Sequence, residues 1–181
     1  MDNSLVGIAA VGLDVRASAA AEARALVAVA DAALTALFPV AVSIMGHADG
    51  QVASVSLPFL LNYVARVRAQ QKRGVGPSPA QRDMITGLIA AVAAAACYPA
   101  DSIMGPGPPA THAEAAACEE EAATVAERRQ DMMTLFKNCC KVMPSHGVEF
   151  VTRLINTVTR PGAPITWQEA EMAITLLYVV R

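Results

Sequence analysis

VASVSLPFLLNYVARVR, residues 52–68, sets Val52, Val55, Phe59, Leu60, Tyr63, Val64 and Val67 at spacings of three and four. At 3.6 residues per turn this spacing lines one side of an α-helix with apolar side chains, so the stretch reads as a helix docked on a neighbour. Pro58 interrupts the stripe. An interior proline removes a backbone hydrogen bond and costs roughly 3 kcal/mol, which places a kink or break near residues 54–57.

Outward from this stretch the same period recurs. Upstream, residues 34–45 (LTALFPVAVSIM) form a nearly wholly apolar helical pattern, and residues 46–50 (GHADG) supply a turn. Downstream, residues 70–79 (QQKRGVGPSP) have the composition of a linker. Residues 81–97 are a further apolar helix, weakened by Gly87 and stopped at Pro99, and residues 104–110 (MGPGPPA) are loop. A long helix follows, acidic at first (CEEEAATVAERRQD, 118–131) and then amphipathic, with Met132, Phe136, Cys139 and Met143 on one face and Pro144 closing it. Val148, Val151, Leu154, Ile155 and Val158 form the next stripe, ended by RPGAP at 160–164. Thr166 and Glu169 match a capping box, and Trp167, Ala170, Ile174 and Leu177 read as the inward face of the last helix.

Composition agrees with an all-α chain. Of the 181 residues 54% are hydrophobic but only 4% aromatic, so the apolar content is alanine and aliphatic side chains that suit helices. Helices joined by short turns lie antiparallel, and each is too apolar to stand alone. The fold expected is therefore all-α, HEAT-like antiparallel helix pairs forming part of an α-solenoid, or superhelix. The longest uncharged runs, 32–47 and 84–99, fall short of the ~20 apolar residues of a membrane helix and read as buried helices, so no membrane insertion is expected. No signal or transit segment is recognisable at the start.

No enzyme is expected, and no cofactor or metal. Cys97, Cys118, Cys139 and Cys140 lack the spacing of a zinc knuckle and read as reduced thiols. Cys140 and His146 are the one thiol and imidazole close in sequence, but Cys139 belongs to an apolar stripe, where cysteine acts as a small hydrophobe. His47, His112 and His146 read as turn or loop residues, and Glu119, Glu120 and Glu121 as the acidic first turn of a helix. The net charge of −2 is no general attraction for nucleic acid, so any RNA contact needs a local basic patch. RVRAQQKR, with Arg66, Arg68, Lys72 and Arg73, provides candidate phosphate contacts, although cations at a helix C-terminus also offset the helix dipole. Arg128, Arg129, Lys137 and Lys141 form a second, sparser set, with Lys137 and Lys141 on one face.

Two blocks resemble the tRNA exportin family, exportin-T of the importin-β superfamily. The first is LFPVAVSIMGHADGQVASVSLPFLLNYVARVR, residues 37–68: helix, short turn, then serine and a hydrophobic-Pro-Phe-Leu-x-x-Tyr helix. The second comprises EEEAATVAERRQDMMTLFKNCCKVMP, VEFVTRLINTV and ITWQEAEMAITLLYVV, whose last helix resembles the family's Trp-x-Glu-x-Glu-x-Ala-x-x-Leu-Leu-Tyr pattern. The resemblance implies a carrier that binds rather than catalyses. Its implied partners are tRNA and Ran-GTP, with contacts at the nuclear pore, and its implied location is nucleus and cytoplasm. The alternatives are an importin-β-like receptor with protein cargo and a generic helical-repeat scaffold. Four segments result: 1–33, poorly matched; 34–69, an exportin-like helical hairpin; 70–117, a variable Ala/Gly/Pro-rich linker with one apolar helix; and 118–181, exportin-like repeats, expected to be truncated at the C-terminus.

Overall fold

A computed structural model of the chain describes the backbone of residues 4–98, 112–162 and 164–180, and side chains within 18–98, 122–162 and 164–180. The expected loop at 104–110 lies outside these, as do Pro99 and the side chains of Cys118 and Glu119 to Glu121. Every regular element among the described residues is a helix: α1 Ser4–Met45, α2 Gly50–Val55, α3 Leu57–Lys72, α4 Pro79–Ala95, α5 His112–Val142, α6 Pro144–Val158 and α7 Trp167–Val180. The chain divides into two compact units, Met1–Phe38 and Pro39–Arg181.

Of residues 32–47, read as a buried helix, only Phe38, Ala41 and Met45 are buried. Residues 18–30 are exposed all round α1, including Leu26, Val27 and Val29. Moreover Ser18–Met45, 28 residues, is long and apolar enough by length and composition to cross a membrane, contrary to the expectation from uncharged runs. Counting uncharged runs stopped at Asp31; the helix does not stop there.

In the second unit, local chemistry sets each helix boundary. Asp49 caps α2, its carboxylate accepting from the Gln51 and Val52 amides at 2.8 and 3.4 Å. The expected break falls at Ser56, and Pro58 then sits in the first turn of α3, where its missing N–H costs nothing. Ser78 and Gln81 form a reciprocal capping box on α4, and Pro79 occupies its first position. Pro144 ends α5 and begins α6. Thr166 and Glu169 make the expected box on α7: the Thr166 amide donates to Glu169 Oε2 at 3.0 Å and the Glu169 amide to Thr166 Oγ1 at 3.3 Å.

Helices 3 to 7 run alternately up and down. Gln71 Nε2, in the last turn of α3, donates to the carbonyl of Val142, at the end of α5, at 3.4 Å, while a Cβ on Gly50 would collide with the Arg128 guanidinium. Therefore α3 and α5 run the same way. Arg129, midway along α5, pairs with Glu171, and two turns further on Lys137 borders a groove with Tyr178, so α7 shares that direction. The end of α4 lies beside residue 129, and Gly147 at the start of α6 lies beside Cys140, which makes α4 and α6 antiparallel to the other three. The most extensive packing joins α3 to α5, α4 to α5 and α6 to α7; α5 packs less on α6 and α7, and α4 only lightly on α6. The result is a row of α3, α5 and α7 over a row of α4 and α6, with α5 central. Leu60, Val64, Ile85, Leu88, Phe136 and Leu176 fill the space between the rows and are fully buried.

Several stripes take a different phase from the one expected. Val52 and Val55 are exposed, whereas Leu60, Tyr63, Val64 and Val67 are buried. Met132, Phe136, Cys139 and Met143 are buried as expected. Of the stripe expected on α6 only Val151 is buried, and Val148 is exposed. On α7 the inward face is Gln168, Met172, Ala173 and Leu176; Ile174 and Leu177 point outward, at 59% and 52% exposure. Trp167 is half-buried and leans on Tyr98, with ring centroids 5.5 Å apart. Glu119 to Glu121 belong two turns inside α5, which starts at His112, and His146 lies in the first turn of α6.

Candidate nucleic-acid interface

The four candidate cations do not share one face. On α3 the buried stripe runs through Leu60, Tyr63, Val64 and Val67. Counting 100° per residue, Arg66 and Arg68 flank that stripe on opposite sides. Gln70 marks the α4 side, since it accepts from Gln81 Nε2 at 3.3 Å, and Gln71 marks the α5 side. Arg68 and Lys72, four residues apart, therefore lie on the flank toward α5, and Arg66 with Arg73 on the flank toward α4. Lys72 and Arg73 are exposed; Arg66 and Arg68 are half-exposed.

The structure brings the two basic sets together. Lys137 and Lys141 project from the solvent side of α5, opposite the buried Leu135, Phe136 and Cys139. The Gln71 to Val142 hydrogen bond puts Lys72 and Lys141 at adjoining helix ends. No acidic residue occurs between Asp49 and Asp83, or between Asp131 and Glu149, although Asp83 and Glu149 themselves stand exposed in the first turns of α4 and α6, which begin at this same end. Among the described residues Arg68, Lys72, Lys137 and Lys141 form no ion pair.

The other two members of the second set, Arg128 and Arg129, are structural. Arg129 is largely buried: its Nε donates to the Ala96 carbonyl at 2.8 Å, its guanidinium pairs with Glu171, and it sits 4.0 Å over the Tyr98 ring. One side chain thereby joins the end of α4 to α5 and α7. Arg128 lies over the backbone of Gly50, which has no side chain to block it.

Cysteine chemistry points away from a nucleophile. Burial pushes the Cys140 thiol up to about 11, and its sulfur packs against Gly147, where a Cβ would come within 2.5 Å. Burial likewise raises Cys139, and raises Cys97 despite the nearby Arg129. His47 accepts from the Asp49 amide within its turn at 3.0 Å, and no cluster of metal-ligating side chains occurs among the described residues.

One feature of the surface escaped sequence reading. Between α5 and α7 runs a groove of about 430 Å³ bordered by Gln130, Thr134, Lys137, Thr175 and Tyr178. Tyr178 is 72% exposed there, beside Lys137. The signal that finds it is the spacing Glu171, Thr175, Tyr178, which follows the α7 edge fixed against α5 by Arg129. Comparison of the chain with protein-family models, curated proteins and solved structures finds no match.

Proposed function

We propose that this chain is a segment of a nuclear export receptor for tRNA, dependent on Ran-GTP, which works by surface binding within a HEAT-like solenoid. The observation that carries the reading is the outer face of α6 and α7. Val148, Ile174 and Leu177 are more than half exposed there, and Val151, Ile155 and Leu177 border an open groove of about 500 Å³. In a repeat array each unit contacts only its neighbours, and a terminal unit needs a polar outer face; an apolar outer face is what an internal unit offers the next one. Alternating helices in two rows, each packed on its nearest neighbours, support the same reading. So does the resemblance of residues 37–68 and 119–180 to tRNA exportins, because α2, α3, α6 and α7 from those blocks pack on α5.

A receptor with protein cargo would share all of this except the unpaired cations Lys72, Lys137 and Lys141, which favour a polyanionic cargo. A chimera tests the proposal: this chain replaces the matching segment of a tRNA export receptor, and tRNA export is measured in cells lacking that receptor. Restored export supports the reading. A folded chimera that carries no tRNA but retains Ran-GTP binding would favour a receptor with other cargo.

A further inference from the structure

We propose that the hollow between α4 and α6 binds a small organic acid, whose aromatic or aliphatic body lies against Phe150 and Ala90 and whose carboxylate pairs with Arg153. The inference goes beyond the transport reading and does not depend on it. The hollow holds about 500 Å³, within the ~300–1,000 Å³ of small-molecule sites. It exists because α4 packs only lightly on α6 and lines the gap with Gly87 and Ala90, which have little or no side chain. A Cβ built on Gly87 meets nothing within 4 Å. None of the lining residues borders the groove of α6 and α7 that the transport reading covers with a neighbouring repeat.

Floor and rim together define the ligand. On α6, His146, Phe150, Arg153 and Thr157 recur at spacings of three and four and share the face toward α4. Phe150 is half-buried, and its ring leans on Phe136 at 6.2 Å, which ties it to the core while it still borders the hollow. An apolar floor accepts an aromatic or aliphatic body, and the charged rim orients it. Arg153 keeps 69% of its side chain exposed, and its contact with Glu149, at 3.9 Å, is too long for a hydrogen bond. So exposed a pair contributes little, which leaves the guanidinium fork able to take a carboxylate through two hydrogen bonds. His146 adds a second basic group, and no acid lines the hollow. Glu149 beside Arg153, and Asp83 one turn before Gly87, would repel a second negative charge, so a monocarboxylate is favoured over a phosphate.

The test uses the full 181-residue chain, isotopically labelled for nuclear magnetic resonance. Phenylbutyrate, phenylbutylamine, phenylbutanol and phenylbutyl phosphate share one body and differ in charge; each is titrated while the amide resonances of Gly87 and Phe150 are followed. Phenylbutyrate is expected to bind with a Kd on the order of 1 mM, as suits so small a ligand, and about tenfold more tightly than the alcohol or the amine. Arg153→Gln is expected to abolish that preference and leave the affinity for the alcohol unchanged. Gly87→Leu fills the hollow and is expected to block all four ligands without lowering the thermal midpoint, since leucine suits a helix better than glycine. Arg160→Ala, exposed beyond the end of α6, is expected to change neither quantity. Equal binding of the acid and the amine overturns the proposal, as does a preference for the acid that survives Arg153→Gln. Absence of shifts at Gly87 and Phe150 with ~10 mM phenylbutyrate overturns it too. Tighter binding of the phosphate than of the carboxylate would overturn the assignment to a monocarboxylate.

Discussion

Replacing Arg129 with methionine is expected to destabilise the second unit by ~2–4 kcal/mol. Methionine keeps an apolar stem but removes three interactions of one guanidinium. The charged donor to the Ala96 carbonyl contributes ~1.5–3 kcal/mol, and its loss leaves the C-terminus of α4 with an orphan acceptor. The Tyr98 contact at 4.0 Å adds ~0.5–1 kcal/mol. The Glu171 pair counts for no more than ~1 kcal/mol, since Glu171 remains 32% exposed and water screens it. These contributions share one group and do not sum in full. Urea denaturation followed by helical circular dichroism measures the change, and the slope with urea is expected to stay constant. Glu171→Gln in the Arg129→Met background is expected to cost less than in wild type. A loss below ~0.5 kcal/mol for Arg129→Met would refute the view that this side chain joins α4, α5 and α7.

Gly147→Ala is expected to cost ~1–3 kcal/mol, because the new methyl meets Cys140 Sγ and pushes α6 from α5; an unchanged thermal midpoint would contradict the close approach. Leu176→Ala is expected to cost ~2–5 kcal/mol and the adjacent Leu177→Ala under ~1 kcal/mol, so denaturation of the two variants reads the phase of α7 directly. Hydrogen bonds from the backbone and then the hydroxyl of Thr166 hold the Glu169 carboxyl below its usual range. A carboxyl depressed in the folded state stabilises above its unfolded pKa and loses that contribution as pH falls through the folded value. Glu169→Gln is therefore expected to flatten the acid limb of a stability profile, and an unaltered limb would remove the cap from the account.

Much of the fold was legible because its signals are local. The break before Pro58, the closure at Pro144 and the Thr166 to Glu169 box follow from backbone chemistry that no tertiary contact overrides. The Ser78 to Gln81 box carried the same signature in SPAQ, within the stretch read as linker. Helix phase was harder. Phe136 and Cys139 stand out against charged neighbours, but ITLLYVV in α7 is apolar around most of its circumference, so periodicity could not choose between Leu176 and Leu177. The length of α1 was hidden because Asp31 divides the apolar run while leaving a helix-favouring alanine-rich sequence intact.

The site was half legible. A cluster of Arg66, Arg68, Lys72 and Arg73 is visible in sequence, but its division between two flanks depends on which neighbours Gln70 and Gln71 touch. Lys141 joins Lys72 only through a contact 71 residues apart in the chain. Arg129 looks like its surface neighbours until the end of α4 and the start of α7 are placed beside it.

The most direct test of the central claim is titration of labelled tRNA at about 50 and 200 mM salt, with and without Ran-GTP, against this chain and against the chimeric receptor. On the proposed reading, four phosphate contacts are expected to give this chain weak binding that falls roughly 50- to 150-fold between the two salts. In the chimera, where neighbouring repeats complete the surface, binding is expected to be tight and strengthened by Ran-GTP. Tight, salt-insensitive binding by this chain, or a folded chimera whose tRNA affinity Ran-GTP leaves unchanged, would contradict the account.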